Sequence, residues 1–287
     1  MYEIELTDYG RVLKPLTGWQ DSFVEIIKKE KLVGVYLNAA SGWQKEENFN
    51  FLLSVPEIEY LKILDHSAGN YEIINTLHQL KSLTISTYEC VPIDLKNFPK
   101  LDYLAIYWHQ EIINLSSCKR LRELYIYKYK STDFVEIGQC ENLEILRMSI
   151  STALSLQGIR GLSKLNKIDL AYFSKLEDIE ELSELKNLLK INLQNCRKIK
   201  NFIENISTLT ALDSIVLDNI PSIASLKPLQ DFKKLRWLDF SEVNIEDGKI
   251  AFLKDLPNLK TVIFENRKHY DMSREELKEI LDAKHQK

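Results

Sequence analysis

The pattern Leu-x-x-Leu-x-Leu, in which another large apolar residue can replace a leucine, recurs along almost the whole sequence. Its first positions are Leu32, Ile58, Leu80, Leu101, Leu121, Leu143, Leu165, Leu188, Leu212, Leu235 and Leu259. These eleven units begin 20 to 26 residues apart, a period that is typical of repeat architectures. A length of 287 residues would ordinarily favour about two domains of roughly 150 residues each. The repeat instead predicts one continuous solenoid.

A second apolar pattern precedes the first, because apolar residues stand six and three positions before each unit. Ile74 and Leu77 precede Leu80, and Leu182 and Leu185 precede Leu188. A spacing of three residues is typical of a helical or 3₁₀ turn. Each unit is therefore predicted to be a short strand followed by a short helical return. Such returns place successive strands parallel, because parallel strands require a crossover connection.

These residues resemble the leucine-rich repeat family, and the resemblance covers roughly Leu32 to Asn266. The units are similar to the short, irregular bacterial or phosphatase-regulator type of about 22 residues. The resemblance implies an α/β fold: a curved, horseshoe-shaped solenoid with a parallel β-sheet on its concave face and short helices or 3₁₀ turns on its convex face. The family favours asparagine or cysteine at the ninth position of a repeat, and only Cys196 matches here. We therefore do not expect the usual asparagine ladder.

The two ends of the chain are predicted to cap the solenoid, because terminal repeats would otherwise expose their apolar faces. Residues 1–31 form the predicted N-terminal cap, residues 32–266 the eleven repeats, and residues 267–287 a helical C-terminal cap of the same continuous domain. The segments Ser22–Glu25 and Ser273–Glu276 both have the Ser-x-x-Glu pattern of a capping box. That pattern predicts a helix beginning at each segment.

Charge and targeting signals restrict the class of partner. The 38 basic and 42 acidic residues give a formal charge of -4, which argues against nucleic-acid binding. The N-terminal residues lack a basic stretch followed by an apolar one, and no run of about 20 apolar residues occurs, so we expect a cytoplasmic protein that does not bind membranes. Cys118 and Cys140 each stand three positions before a unit and are predicted core thiols.

Catalytic and metal-binding motifs are not recognised. The five histidines form no His-x-x-x-His pair, and His66 and His109, at equivalent positions two units apart, would be separated by about 10 Å. The phosphate-binding motifs Gly-x-Gly-x-x-Gly and Gly-x-x-x-x-Gly-Lys-Ser/Thr do not occur. We interpret Gly158 and Gly161 as parts of a turn. None of the four cysteines has a flanking signal for a reactive thiolate or a metal ligand set. We therefore expect no enzyme activity, no cofactor and no metal.

The outward face of the predicted sheet is enriched in aromatic residues. Side chains alternate across a strand, so the third, fifth and seventh positions of each unit point outward. Seven of these 33 positions are aromatic: Tyr36, Tyr60, Tyr103, Tyr107, Tyr125, Tyr127 and Trp237. That share is about twice the 10% found in the whole chain. Adjacent strands would place Tyr107 beside Tyr127, and would place Tyr125, Arg147 and Asp169 in one row that permits stacking and an ion pair.

These positions predict a protein-binding surface, because clustered aromatic side chains are enriched at interface hot spots. Its predicted residues are Tyr60, Tyr103, Tyr107, Trp108, Tyr125, Tyr127, Tyr129, Arg147, Asp169, Trp237 and Asp239. Trp108 and Tyr129 follow the strands directly and are expected at the rim. The alternative interpretation is that tyrosine simply suits an exposed sheet.

We therefore expect a non-catalytic module that binds another protein through its concave face and is monomeric in isolation. An inhibitor, such as a toxin-neutralising immunity protein, is one role that the resemblance suggests. A regulatory subunit or a substrate adaptor is the alternative. An enzyme or cofactor binder would need converging polar groups, which the face does not show. A solenoid that only associates with itself would form dimers and have no other partner.

Overall fold

The computed structural model describes residues 1–44, 49–65, 71–87 and 90–285, and the chain forms two compact units, Met1–Lys128 and Tyr129–Lys287. The first unit contains β1 (Tyr2–Thr7), β2 (Gly10–Pro15), α1 (Ser22–Lys29), β3 (Gly34–Asn38), β4 (Tyr60–Leu64), β5 (Ser82–Ser86), β6 (Ile93–Asp94), β7 (Tyr103–Tyr107), β8 (Ile112–Ile113) and β9 (Glu123–Tyr129), whose last residue is counted with the second unit. The second unit contains β10 (Ile145–Ser151), β11 (Lys167–Phe173), β12 (Lys190–Gln194), α2 (Phe202–Ile206), β13 (Ser214–Asp218), β14 (Trp237–Asp239), β15 (Thr261–Ile263) and α3 (Arg274–His285).

The first unit is built on a mostly parallel sheet. Strands β1 and β2 form an antiparallel hairpin, and β2 pairs in parallel with β3. Strands β3, β4, β5, β7 and β9 then follow as parallel neighbours. The pairing aligns Leu61, Leu83, Leu104 and Leu124 in one row, and all four side chains are fully buried. Strands β6 and β8 form a separate parallel pair.

The second unit repeats this arrangement, with β10 to β15 paired in parallel in chain order. The corresponding row of core residues is Leu146, Ile168, Ile191, Ile215 and Leu238. Because successive repeats place equivalent residues side by side, every repeat completes the core of its neighbour. The leucine-rich repeat architecture predicted from the sequence is confirmed in both units.

The predicted helical returns are mainly 3₁₀ turns. They comprise Ala39–Ser41, Asn50–Ser54, Glu72–Thr76, Leu95–Asn97 and Leu115–Ser117 in the first unit, and Ile137–Gln139, Ile159–Gly161, Glu180–Glu184, Lys227–Asp231 and Ala251–Asp255 in the second. The apolar pair before each strand explains them. Ile74 lies inside its turn and Leu77 caps its C-terminal end, and both side chains are buried. A three-residue period suits such turns, because their side chains repeat every three residues.

The two predicted capping boxes have different outcomes. Helix α1 begins at Ser22, but Asp21 is its N-cap and no side chain accepts a capping hydrogen bond. At the C-terminal end the capping box is confirmed, because the Ser273 backbone N–H donates to Glu276 Oε2 at 2.9 Å and the Glu276 N–H donates to Ser273 Oγ at 3.3 Å. The Ser273 N–H and the Ser273 hydroxyl both donate to Glu276 Oε2, and they hold the pKa of Glu276 below its ordinary value. That residues 1–31 and 267–287 act as caps stays a prediction.

We expect Ser273→Ala to loosen helix α3, because an N-cap hydroxyl typically contributes about 1 kcal/mol. Hydrogen exchange of the α3 amides would then become about fivefold faster. Ser163→Ala is the matched control, since Ser163 lies exposed on a turn of the same unit. Equal exchange rates in the two variants would contradict a stabilising cap at Ser273.

Three of the four cysteines belong to the core. Cys118, Cys140 and Cys196 are buried, whereas Cys90 is exposed. Burial raises the pKa of Cys196 to about 11, so this thiol stays protonated at neutral pH. The prediction of core positions for Cys118 and Cys140 is confirmed. Within the described residues, no helix is long and apolar enough to cross a membrane.

Candidate protein-binding face

Four tyrosines on β7 and β9 form what we call the aromatic patch: Tyr103, Tyr107, Tyr125 and Tyr127. Tyr107 pairs directly with Tyr127 in the sheet, and their ring centroids are 4.3 Å apart at 53°. The rings of Tyr103 and Tyr125 are 5.2 Å apart at 33°. All four side chains are half-buried. The predicted proximity of Tyr107 and Tyr127 is therefore confirmed.

A small residue explains the second pair of rings. Ala105 lies between Tyr103 and Tyr107 on the outward face of β7, and it pairs with Tyr125 across the sheet. An alanine leaves space beside it, which lets the Tyr125 ring approach Tyr103 diagonally. The Tyr125 hydroxyl also donates to Glu123 Oε2 at 3.1 Å. Packing and a hydrogen bond thus both orient Tyr125 before any ligand is bound.

Lys128 adds a positive charge at one end of the aromatic patch. Its Nζ lies 5.7 Å from the ring centroids of both Tyr107 and Tyr127. An ammonium within about 6 Å of an aromatic face is attracted by the electron density of the ring. The patch therefore combines apolar ring surface, phenolic hydroxyls and one cation.

Two of the predicted outward aromatic residues are covered by the N-terminal hairpin. Tyr36 and Tyr60 are only 7% and 8% exposed, and they pack with Val12 in one apolar cluster. The Tyr9 ring, at the tip of the hairpin, lies 6.0 Å from the Tyr60 ring. The prediction that Tyr60 is available to a partner is therefore wrong, because β1 and β2 fold over this part of the sheet.

The hairpin also creates a cleft that the sequence did not predict. Tyr9 donates a 2.6 Å hydrogen bond to Asp102 Oδ1, a contact between residues 93 positions apart. Burial and the charges of Asp102 and Glu123 raise the pKa of Tyr9 above its ordinary value. A cleft of about 770 Å³ lies between the tip of the hairpin and the first residues of strands β4, β5, β7 and β9. Its charged lining residues are Glu5, Asp8, Asp102, Glu123, Lys62 and Arg122, so acidic groups outnumber basic ones.

Tyr129 is a core residue, and its predicted place at the rim is wrong. It is 2% exposed, its ring lies 5.6 Å from that of Phe134, and its hydroxyl donates to the Asp133 carbonyl oxygen at 3.1 Å. Burial raises its pKa to about 12. The cause is Lys128, which has φ 62. A left-handed residue interrupts the alternation of side chains, so the following residue turns inward.

The same inversion recurs in the second unit. Ile150 and Tyr172 have φ 61 and 60 and are exposed, and the residues that follow them, Ser151 and Phe173, are buried. Asn195 occupies the equivalent place in the next repeat with φ 55. Asparagine adopts this conformation readily, whereas isoleucine and tyrosine do so at a cost. Trp108, which follows β7 in the first unit, is half-buried and donates its backbone N–H to the Tyr127 carbonyl oxygen at 2.8 Å.

The remaining predicted residues lie on the second unit. Arg147 Nε and Asp169 Oδ2 are 3.9 Å apart, so the predicted ion pair is present, with a long contact distance. Trp237 is 41% exposed, and its neighbours in the sheet are the short residues Ser214 and Thr261. Asp239 Oδ1 accepts from the Ser241 hydroxyl at 2.6 Å. The predicted stacking of Tyr125 on Arg147 joins residues of different units and stays a prediction.

Metal ligation was not expected from the sequence. Within the described ranges, no three histidine, cysteine, aspartate or glutamate side chains are grouped so that they could hold a metal ion. His66, which the sequence places far from His109, lies outside the described residues.

Comparison with known proteins identifies the fold. No protein-family model and no curated protein matches the sequence significantly. Among solved structures, the chain is similar to an internalin (inlF) from Listeria monocytogenes, with a TM-score of 0.67 and 19% identity over 85% of this chain and 71% of that one. A leucine-rich repeat protein of Leptospira interrogans gives a TM-score of 0.64 and 18% identity, covering 91% of this chain and 79% of that one. A plant peptide hormone receptor, RGFR1, gives a TM-score of 0.51 and 14% identity, covering 87% and 46%.

The repeats, the parallel sheets and these similarities together define the class of fold: this chain has a leucine-rich repeat fold. At 14 to 19% identity the similarities concern the fold alone.

Proposed function

We propose that this protein binds another protein through the outward face of the first unit, with the aromatic patch at the centre of the contact. The observation that carries the proposal is the pairing of four half-buried tyrosines on two adjacent strands, with Lys128 beside two of their rings. Tyrosine and tryptophan are enriched at binding hot spots because they bury much apolar area and keep a polar group available.

The rigidity of the sheet supports this proposal. Tyr103, Tyr107, Tyr125 and Tyr127 extend from hydrogen-bonded strands, and their rings already touch one another. Binding through such side chains loses little conformational entropy, because each tyrosine has only two rotatable bonds and is held by its neighbours. Trp108 and His109 follow β7 directly, so the proposed contact surface extends past the end of that strand.

A protein partner fits the charge of the chain better than a nucleic acid does. The formal charge is -4, and the cleft beside the patch has more acidic than basic lining residues. Phosphate backbones require cationic surfaces. The similar plant protein RGFR1 is described as a peptide hormone receptor and was solved in complex with RGF2. That complex is a precedent for a peptide ligand on this fold.

An inhibitor of a cytoplasmic protein, such as an immunity protein that neutralises a toxin, is the role we propose for this surface. A rigid face that presents aromatic side chains without catalytic groups suits blockage of a partner's active site. The alternative role is a regulatory subunit or substrate adaptor. The two differ in outcome: an inhibitor abolishes its partner's activity at stoichiometric ratio, whereas an adaptor leaves that activity intact.

The double variant Tyr107→Ala with Tyr127→Ala tests the proposed surface. We expect it to weaken binding of the partner by about 30-fold or more, because the loss of one hot-spot side chain costs about 2 kcal/mol and the losses of two rings in contact do not simply add. The partner is first identified by capture on the immobilised wild-type protein followed by mass spectrometry. Its dissociation constant is then measured by titration calorimetry for the wild type and the variant.

Tyr172→Ala is the control for this experiment, because Tyr172 is 57% exposed and belongs to the second unit, which does not contribute to the patch. It should leave the affinity unchanged. Circular dichroism checks that both proteins are folded. Unchanged affinity of the folded double variant would contradict the assignment of the aromatic patch, and Trp237→Ala would then test the second unit.

A further inference from the structure

Cys90 differs from the other cysteines in its exposure and in its neighbour. Its side chain is exposed, while Cys118, Cys140 and Cys196 are buried. The Cys90 sulfur lies 3.1 Å from Nδ1 of His109, a residue 19 positions later in the chain. Cys90 comes after β5 and His109 after β7, and these two strands are neighbours in the sheet. A cysteine beside a histidine is a common arrangement for an activated thiol.

The hydrogen bonds of the imidazole decide which of its nitrogens carries the proton. The Val91 backbone N–H donates to His109 Nε2 at 2.9 Å. A backbone N–H can only donate, so Nε2 must be the unprotonated nitrogen and Nδ1 must carry the hydrogen. The Glu111 N–H donates to Nδ1 at 3.3 Å, a hydrogen bond that belongs to the opposite tautomer. We take the shorter Val91 contact to set the tautomer, which directs the Nδ1–H at the Cys90 sulfur. In the opposite tautomer Nδ1 would accept the Cys90 proton, so the imidazole is coupled to the thiol in both.

This arrangement favours the thiolate form of Cys90. A sulfur that receives a hydrogen bond from an N–H is stabilised as the anion, which is the better acceptor. The Val91 N–H also holds Nε2 unprotonated, so the imidazole acts as a neutral donor. Glu111, whose N–H lies 3.3 Å from Nδ1, has an exposed side chain, and its negative charge opposes a thiolate.

We propose that Cys90 is a reactive thiol, activated by His109, at which this protein forms mixed disulfides with small disulfide compounds. In this reaction the Cys90 thiolate attacks one sulfur of the compound, the sulfur–sulfur bond of the compound breaks, and its other half leaves as a thiolate. The products are a mixed disulfide on Cys90 and one free small thiolate. Electrons and charge balance without a further oxidant, because the small disulfide is itself reduced.

The first experiment measures which cysteine reacts. The native protein is treated with an aromatic disulfide reagent, dithiobis-nitrobenzoate, whose released thiolate is followed by absorbance. We expect one rapid equivalent per chain, located on Cys90 by peptide mass spectrometry, and no rapid phase in Cys90→Ser. A rapid adduct on Cys118, Cys140 or Cys196 would overturn the proposal.

The second experiment separates activation by His109 from simple access to the sulfur. A stabilised thiolate is more abundant at low pH but is intrinsically less nucleophilic. If the Nδ1–H donor raises the acidity constant of the Cys90 thiol about 25-fold, the wild type should react about sixfold faster than His109→Ala at about pH 6, and about fourfold slower at about pH 9.5. His109→Asn, whose amide can donate from the position of Nδ1, should retain much of the wild-type profile.

If His109→Ala only altered access to the sulfur, it would change the rate in the same direction at both pH values. If the wild type is therefore faster, or slower, than His109→Ala at both pH values, the role of His109 is overturned. If His109→Ala fails to fold, the wild type unfolded in urea provides the comparison, with the adduct on Cys90 followed by peptide mass spectrometry because unfolding also exposes Cys118, Cys140 and Cys196. The native protein should again react about sixfold faster at about pH 6. A native rate no higher than that of the unfolded chain would refute the proposal.

Discussion

Gly138→Ala is expected to destabilise the second unit by about 3 kcal/mol or more, because the new methyl group would overlap the backbone of the neighbouring repeat. A Cβ at Gly138 would lie 1.9 Å from the carbonyl oxygen of Gly158. The Gly158 carbonyl group cannot easily move away from the new methyl group. Gly158 has φ +110, its N–H donates to Glu181 Oε2 at 2.7 Å, and its other side closely approaches the backbone of Val135.

Urea denaturation followed by circular dichroism measures this loss. Gly161→Ala is the matched control, since a Cβ there would meet only the Gly138 carbonyl oxygen, at an ordinary 3.6 Å. We expect that variant to be unchanged or slightly more stable, because alanine restricts the unfolded chain more than glycine does. Equal stability of the two variants would show that the repeats can separate enough to admit a methyl group at Gly138.

The spacing of large apolar residues was sufficient to predict the repeats. Leu80, Leu83 and Ile85 point inward as expected, and the same holds for most equivalent residues of the other units. This succeeds because a strand has a fixed alternation and each repeat contacts its nearest neighbours. The close approach of Gly138 to Gly158 was not predicted, because one pair of small residues carries no periodic signal.

The candidate site was only partly predictable for the same reason. Tyr107 and Tyr127 occupy equivalent repeat positions, so their contact followed from the register. The covering of Tyr60 did not follow, because the hairpin that covers it lies outside the repeats and folds back over distant strands. The pairing of Cys90 with His109 was missed because the two residues occupy different positions relative to their strands and make no recognised motif.

The sequence also did not predict that the last residues of β9, β10 and β11 point inward after a left-handed residue. The variant Phe173→Ala tests this arrangement. Simple alternation from the buried Leu170 would place Tyr172 inside and Phe173 outside. In the structure Phe173 is fully buried, with its ring 6.3 Å from that of Phe134, and Tyr172 is 57% exposed with φ 60. We therefore expect Phe173→Ala to lower the free energy of unfolding by about 3 to 5 kcal/mol, the usual cost of removing a buried phenylalanine ring.

The adjacent variant Tyr172→Ala should change the free energy of unfolding by no more than about 0.5 kcal/mol, as exposed positions usually do. Both values come from urea denaturation under the same conditions. The comparison is sharp because the two residues are neighbours in sequence and similar in size, and differ mainly in direction. If Tyr172→Ala proved the more damaging change, the left-handed turn at residue 172 would be wrong. The same reasoning would then place the Tyr129 side chain back at the surface.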